Sequence, residues 1–353
     1  MRKLAWAALL VIVTACGAPA STAPSVAPAT SATASVVGTP AAPGKAELTK
    51  IVVAKSGTDD FTSVNQNYFY DALRAKGFTV EVQNLASADT TLRTVVQGSA
   101  DLFVGSLGTV ARLAESGGGG MKIIANDVKA TDYLLVSQKG IANVAALKDH
   151  TIGINSPGDA GDTVARACLA GANFDVNQAK FVQIGGTSAR VAALLANKID
   201  AAPAHVAEAL TALTKTDQLK VLVACSEPIG PFLQATLAAA DPWLAKNPNT
   251  AQIVVDTWVD AVRWAAQNKA DYLTFAKKTV PDVDPKVASD SYDLFIKIGY
   301  FATNGGMSND LLDRWDKLAV TTRAVTAVVP PRAQWVEQKY VNSYLARNGA
   351  IAE

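Results

Sequence analysis

The fold of this chain is indicated by two stretches of its sequence, Ile51-Val-Val-Ala-Lys-Ser-Gly-Thr-Asp59 and Thr151-Ile-Gly-Ile-Asn-Ser-Pro-Gly-Asp159. Each stretch is a short apolar run that ends in small polar and turn-forming residues. Runs of this kind are typical of buried strands in a parallel sheet. Because the second stretch repeats the residue types of the first one hundred positions later, we interpret them as the first strands of two related halves.

Further landmarks follow these two strands in the same order. In the first half, a second strand, Phe78–Val82, precedes an amphipathic helical segment that ends at an aspartate, Leu92–Asp101. In the second half, the corresponding elements are Lys180–Ile184 and Val191–Asp200. Strands that alternate with helices of about ten residues or more require parallel pairing through crossover connections. The pattern predicts an α/β fold with two three-layer lobes that are joined by a two-segment hinge.

The limits of the lobes are predicted from two segments that would cross between them, Tyr133–Lys139 and Cys225–Pro231. Beyond the second segment, residues 241–347 carry apolar side chains at helical spacing, and we expect this helical tail to brace lobe one. The resulting division assigns residues 47–136 and 232–353 to lobe one and residues 137–231 to lobe two.

The beginning of the chain resembles the export signal of a bacterial lipoprotein. Arg2 and Lys3 precede an apolar run, Leu4–Val13, that is about half as long as the ~20 residues that a membrane-spanning helix needs. We therefore predict that residues 1–15 are a cleaved signal peptide. The working protein is then expected outside the cytoplasm, on the periplasmic side of the membrane if the cell has two.

Cysteine after Val-Thr-Ala resembles a lipobox, so Cys16 is predicted to carry a lipid that anchors the protein to the membrane. The alternative is an ordinary secretory signal cut near Ala18 or Ala20. Residues 16–46 consist mostly of Ala, Pro, Ser, Thr, Gly and Val, and this composition predicts a disordered tether, because it offers little apolar surface to bury. A tether of this kind supports the anchored interpretation.

Charge and cysteine content limit the partners. The chain has 32 basic and 31 acidic residues, and removal of Arg2 and Lys3 leaves 30 basic ones, so no basic face for nucleic acid is expected.

We expect a monomer without a later membrane span. Cys168 and Cys225 either form a disulfide or are two separately buried small residues.

Small polar residues cluster where strands lead into helices, which is where open parallel sheets bind ligands. Free N–H groups at helix N-termini suit a small anion, although the same Ser, Thr and Asp side chains could simply cap their helices. Asp59, Asp60, Asp159 and Asp162 favour an amine or a zwitterion if they face the cleft. The loops concerned are Ser56–Asp59, Gly105–Thr109, Ser156–Thr163 and Gly185–Ser188.

Signatures of catalysis are missing from the sequence. It contains no HExxH, CxxC or GxSxG motif and only two histidines, so we expect neither an enzyme nor a resident metal or cofactor. His205 follows the predicted strand Ala201–Ala204 and either donates a hydrogen bond to a ligand or has a structural role.

The chain resembles the substrate-binding lipoproteins of ABC importers, in the group of nitrate, taurine, aliphatic-sulfonate and thiamine-precursor receptors with the type II periplasmic binding fold. The resemblance spans roughly residues 48–280. It rests on Leu73–Val82, Val96–Asp101, Ile141–Asp149, the strand Thr151–Ile154 with its Ser-Pro-Gly loop, and Leu194–Ala202.

This resemblance implies a receptor that closes two lobes on a small organic anion or zwitterion and delivers it to an ABC permease with a cytoplasmic ATPase. Two alternatives stay open: an enzyme on the same fold, similar to the pyrimidine-precursor synthases, and a lipoprotein that binds a partner protein and no solute. The ligand-binding residues that the resemblance implies are Ser56, Gly57, Ser106, Thr109, Ser156, Gly158, Thr163 and Thr187, to which Asp159 and His205 are added from the loop and strand positions.

Overall fold

The computed structural model describes residues 42–118 and 120–352. The predictions on the signal peptide, on the Cys16 anchor and on the tether as far as residue 41 lie outside the described residues. The described strands are β1 (Lys50–Ser56), β2 (Thr79–Leu85), β3 (Leu102–Ser106), β4 (Met121–Asn126), β5 (Leu134–Gln138), β6 (Thr151–Ile154), β7 (Lys180–Gln183), β8 (Ala201–Ala204), β9 (Leu219–Ala224) and β10 (Ala235–Ala240).

Helices separate and cover these strands. No helix in the described part of the chain has the length and apolar content that crossing a bilayer demands. The helices are α1 (Val64–Ala75), α2 (Ala88–Val96), α3 (Leu107–Glu115), α4 (Ala160–Gly171), α5 (Thr187–Leu195), α6 (Val206–Lys215), α7 (Ser226–Ile229), α8 (Asp241–Lys246), α9 (Pro248–Gln267), α10 (Lys269–Thr279), α11 (Pro285–Lys297), α12 (Asn309–Ala319) and α13 (Lys339–Asn348).

The strands form two five-stranded sheets, which confirms the predicted α/β class. Sheet one has the order β2-β1-β3-β10-β4 and sheet two the order β7-β6-β8-β5-β9. We call each sheet with its covering helices a lobe. The central strands pair in parallel as predicted, but β10 in sheet one and β5 in sheet two are antiparallel to both neighbours. Each enters from the other lobe instead of through a crossover helix, so parallel direction is not imposed on it.

The internal repeat is visible in the hydrogen bonds of the two lobes. In lobe one the backbone N–H of Val52 donates to the Asp101 carboxylate at 2.7 Å, and in lobe two that of Thr151 donates to Asp200 at 2.8 Å. The two bonded residues are 49 positions apart in both cases. The aspartates that the sequence places before β3 and β8 therefore hold the first strand of each lobe in the same way.

The crossing segments differ from the prediction. Most of Tyr133–Lys139, the first predicted hinge segment, is strand β5 inside sheet two, so the predicted boundary after residue 136 falls within a strand. The chain crosses instead at residues 127–133, between β4 and β5. It returns at residues 225–234, which include α7 and overlap the second predicted segment. An apolar run gives no local sign of which sheet it will join.

The C-terminal helices pack mainly on lobe one. Helix α9 buries Trp258, Val262 and Ala265 and contacts α1, α13 and β4. The tail also reaches beyond lobe one, because α11 contacts α6 of lobe two, and Arg314 on α12 donates to the Pro231 carbonyl of the returning segment at 2.6 Å. The tail therefore braces lobe one and the return crossing together.

A disulfide joins Cys168 on α4 to Cys225 at the start of α7, with their Cα atoms 5.0 Å apart. Both residues are fully buried. Of the two alternatives for these cysteines, the structure has the bridge. It ties the first helix of lobe two to the segment that returns to lobe one.

Candidate functional site

A cleft of about 1300 Å³ lies between the two sheets, lined by loops at the carboxyl ends of strands in both lobes. Open α/β sheets bind ligands at this position. Most of the residues predicted from the sequence line the cleft. They are Ser56, Gly57, Ser106, Ser156, Asp159, Thr187 and His205.

Three predicted residues, Thr109, Gly158 and Thr163, are not among the lining residues: Thr109 and Thr163 bond within the wall of their own lobe, and the Gly158 carbonyl accepts a hydrogen bond from Arg112 of lobe one. The Thr109 hydroxyl accepts a hydrogen bond from Arg112 at 3.1 Å, and the Thr163 hydroxyl donates to the Ala160 carbonyl at 3.1 Å. Gly158 has φ +75° and lies so close to Arg112 that a Cβ atom would clash with it. Spacing placed these residues in the right loops but could not give the direction of each side chain.

The helix N-termini at the cleft fall into two classes. Asp159 caps α4 by accepting from the Ala160 N–H at 2.8 Å, so the capping interpretation holds for this residue. Helices α3 and α5 begin at Ser106 and Gly186 without a side-chain cap among the described residues. At α3 the first N–H instead donates to the Gln234 carbonyl at 3.0 Å. The start of α5 is therefore the better place in the cleft for a negatively charged group.

The acidic residues named from the sequence do not behave alike. Asp59 and Asp60 line the cleft together with Asp159. Asp59 forms an ion pair with Lys55, whereas Asp60 accepts from the Thr62 N–H at 2.8 Å. Asp162 is fully buried behind the wall, where it pairs with Arg166 at 2.7 Å.

Arg190 is a cleft residue that the sequence reasoning missed. Its side chain is only 1% exposed and donates to the carbonyls of Pro203 and Gly185, at 2.9 and 2.6 Å, and to the Thr187 hydroxyl at 3.0 Å. All three acceptors are neutral, and within the described residues no carboxylate pairs with this guanidinium. The sequence offered one signal for its burial: Arg190 lies four residues before Leu194, so both side chains lie on the same, buried face of α5.

His205 is bound to lobe two more tightly than the sequence indicated. Its Nδ1 atom lies 2.9 Å from the Asp132 carboxylate, and its ring stacks on Tyr133 with the centroids 4.0 Å apart. Burial lowers the pKa of His205, but Asp132, Tyr133 and Asp60 together outweigh burial and raise the pKa well above the ordinary imidazole value. The contact with Asp132 therefore favours the protonated form of the ring.

Asp127 is a second lining residue that the sequence reasoning did not select. It is 1% exposed, and its Oδ2 accepts from the amide groups of Gln66 at 2.9 Å and Asn65 at 3.2 Å. Its Oδ1 has no hydrogen-bond partner in the described structure. Burial raises the pKa of Asp127 above the usual carboxyl range. Its position directly after β4 was a signal, since strand ends line such clefts.

Glu208 faces the cleft from the first turn of α6 in lobe two. Burial, followed by the negative charge of Asp60 from lobe one, raises the pKa of Glu208 to about 7. Its Oε2 atom is buried without a hydrogen-bond partner in the described residues. In the sequence Glu208 is an ordinary acidic residue at a helix start, so its raised pKa is visible only from the packing of the two lobes.

A sequence model of the family described as NMT1/THI5 like matches residues 46–271. Among curated proteins, no match to this sequence is found. Many solved structures share the fold.

Three of these structures illustrate the range. The alkanesulfonate-binding protein SsuA from Xanthomonas axonopodis pv. citri, bound to MOPS, is 15% identical with a TM-score of 0.68, covering 83% of this chain and 100% of its own. The periplasmic nitrate-binding protein NrtA from Synechocystis PCC 6803 is 14% identical with a TM-score of 0.59, covering 87% and 100%. The desulfurization enzyme DSZB is 13% identical with a TM-score of 0.58, covering 85% and 99%.

At these identities the structures establish the fold alone. The family match extends over more than half of the chain and includes both sheets. The chain therefore belongs to the NMT1/THI5-like family and has the fold of the type II periplasmic binding proteins.

Proposed function

We propose that this protein is an extracytoplasmic receptor that captures a small organic solute between its two lobes and delivers it to an ABC permease. The observation that carries the proposal is the cleft of about 1300 Å³, which both lobes line and which two chain crossings bridge in the described residues. Two lobes joined in this way can close on a ligand by hinge motion. The solute-binding proteins SsuA and NrtA share this fold.

Within the expected range of anions and zwitterions, the charges of the cleft favour a zwitterion. Arg190 and the uncapped start of α5 offer positive charge and N–H donors on one wall. Asp60, Asp127 and Glu208 offer carboxylates elsewhere in the same cleft. A solute that carries both signs can pair with both groups, whereas a simple anion would face carboxylates that it leaves unpaired.

An enzymatic function has one observation in its favour, the likeness to a desulfurization enzyme. A thiol nucleophile would have to come from Cys168 or Cys225 within the described residues. These two are joined in a buried disulfide, and neither lines the cleft. The receptor is therefore the function that the geometry supports better.

Calorimetric unfolding of the full chain tests the receptor with three matched compounds: taurine, which carries both charges, ethanesulfonate, which carries only the negative one, and ethylamine, which carries only the positive one. A solute whose free concentration is one hundred times its dissociation constant should stabilise the native state by about 2.7 kcal/mol. We expect the largest shift with taurine or with larger zwitterions added to the same panel. If neither the panel nor a small-molecule extract shifts the transition, the receptor proposal is wrong.

The membrane anchor belongs to the same proposal. A lipid on Cys16 would hold the receptor beside its permease, and the Pro- and Ala-rich tether would let the body reach it as a monomer. Mass spectrometry of the mature N-terminus should find an acylated Cys16. The Cys16→Ala variant should be released from the membrane fraction, and an unmodified N-terminus near residue 19 or 21 would instead indicate an ordinary secretory signal.

A further inference from the structure

The inner end of the cleft contains buried oxygen atoms that accept hydrogen bonds but receive none. Asp127, Gln66 and Gln234 are at most 7% exposed and line the cleft, and one oxygen of each side chain has no partner among the described residues. Glu208 adds a fourth such oxygen from lobe two. Buried acceptors without donors are costly, so a ligand that supplies N–H groups here would be strongly favoured.

The charges at this end are also predominantly negative. Lys55 pairs with Asp59, and His205 pairs with Asp132, so each of these pairs balances itself. Asp60, Asp127 and Glu208 form no ion pair among the described residues, although Lys55 lowers the pKa of Asp127 and His205 lowers that of Glu208. The unbalanced charge therefore calls for a positive group in the ligand.

Three carboxylates from different elements act on the same two tyrosines. Burial raises the pKa of Tyr300 well above the ordinary phenol value, and Asp132, Asp127 and Asp60 all raise it further. Tyr300 lines the cleft. The same three carboxylates raise the pKa of the buried Tyr272. Asp60, Asp127 and Asp132 therefore act on the same part of the cleft, which Tyr300 lines.

We propose that this inner end binds a positively charged nitrogen group of the solute, an ammonium or a guanidinium, between Asp127 and Gln66 of lobe one and Glu208 of lobe two. This inference rests on the proposed function as a solute receptor and names the part of the solute that the carboxylates recognise. An ammonium or a guanidinium carries only hydrogen-bond donors, which match the buried oxygen atoms that have no donor. A sulfonate or nitrate group carries only acceptors and would leave these oxygen atoms without a donor.

A metal ion fits this place less well than an organic cation. In the residues that the structure describes, no group of three or more His, Cys, Asp or Glu side chains is arranged to hold a metal ion. The Asp127 carboxylate instead shares its Oδ2 between two amide donors, and Gln66 and Gln234 contribute single oxygens. Spread acceptors of this kind suit a group with several N–H bonds that point in different directions.

The cation would also control closure. Asp60 belongs to lobe one and Glu208 to lobe two, and the charge of Asp60 disfavours the ionised form of Glu208. Without a ligand, the facing carboxylates oppose approach of the lobes. A positive group between them replaces this repulsion by attraction to both sides, so the solute binds the closed state better than the open one.

The test uses the full chain and its Asp127→Asn and Glu208→Gln variants. An Asn at position 127 can still accept from Gln66 and Asn65, so the fold should persist, which circular dichroism and the unfolding midpoint would verify. Asp217→Asn is the matched control, because it removes one negative charge from an exposed turn outside the cleft. Each protein is incubated with a deproteinised small-molecule extract that is supplemented with agmatine, putrescine, taurine, ethanesulfonate and nitrate. Retained compounds are released by heat and quantified.

We expect the wild type and Asp217→Asn to retain compounds with a positively charged nitrogen, and each cleft variant to retain at least about tenfold less, the change that one lost charge-assisted hydrogen bond produces. Retention of only ethanesulfonate or nitrate, or equal retention by all variants, would overturn the cation site and leave the receptor function standing. Retention of no small molecule by any of the proteins would overturn both.

Discussion

Glu208 is a buried carboxyl group whose charge changes near neutral pH. Its pKa is raised from 4.5 to about 7 in the folded protein by burial and by Asp60, while His205 opposes the shift. Between these pH values the folded state keeps a proton that the unfolded state releases, so the stability of the ligand-free protein falls as pH rises from about 4.5 to 7. Above pH 7 the penalty is complete.

The Glu208→Gln variant should lose this part of the pH dependence. Urea unfolding at pH 5 and at pH 7.5 gives the check: the wild type should lose stability relative to the variant between the lower and the higher pH, because only the wild type acquires a buried charge. Other groups titrate in the same range, so the difference between the two proteins is the quantity to compare. An identical pH profile in both would show that Glu208 ionises normally.

Ser156 and Thr109 separate residues that face the cleft from residues in its wall. Ser156 lines the cleft, whereas the Thr109 hydroxyl is buried and bound to Arg112. We expect Ser156→Ala to weaken solute binding without unfolding the protein. Thr109→Ala should leave the affinity unchanged and lower stability by about 1 kcal/mol, because a buried hydrogen bond is lost. Calorimetric titration and urea unfolding of both variants measure the two effects, and loss of affinity in Thr109→Ala alone would contradict this assignment.

At the scale of elements, the disulfide joins α4 to α7 and closes a loop with a sequence separation of 57 residues. In the chain-entropy model such a loop contributes about 4 kcal/mol by restricting the unfolded chain. Reduction should therefore lower the free energy of unfolding by about this amount, measured in urea with and without dithiothreitol. The Cys168→Ala/Cys225→Ala double variant should no longer respond to the reductant, and a wild-type midpoint that reduction does not move would contradict the prediction.

At the scale of the whole molecule, both lobes contribute to one cleft. The loop Ser56–Asp60 belongs to lobe one and the loop Gly185–Ser188 to lobe two, and both line the cleft. Solute that closes the lobes should slow amide hydrogen exchange in both loops together, because each becomes shielded from water. Exchange measured by mass spectrometry with and without solute checks this, with α13 as an internal control, because none of its residues lines the cleft. Protection confined to one loop would argue against closure.

Much of this architecture could be predicted from local sequence. The apolar runs at β1 and β6, the polar loops after them and the aspartates before β3 and β8 predicted two α/β lobes, and most of the site residues predicted from the loops line the cleft. Strand and helix periodicity, turn residues and helix starts are properties of a few neighbouring residues, so one sequence contains them.

The sequence by itself determined the class of fold, the two halves and the edge of each sheet where the polar loops meet. The tertiary structure decided that β5 joins sheet two instead of crossing between lobes, and that Thr109 points into the wall. It also showed that Arg190, Asp127 and Glu208 line the cleft and that burial raises the pKa of Asp127 and Glu208. The physical reason is that strand partners, burial and the field of a carboxylate from another lobe depend on residues far apart in the chain, which no local pattern records.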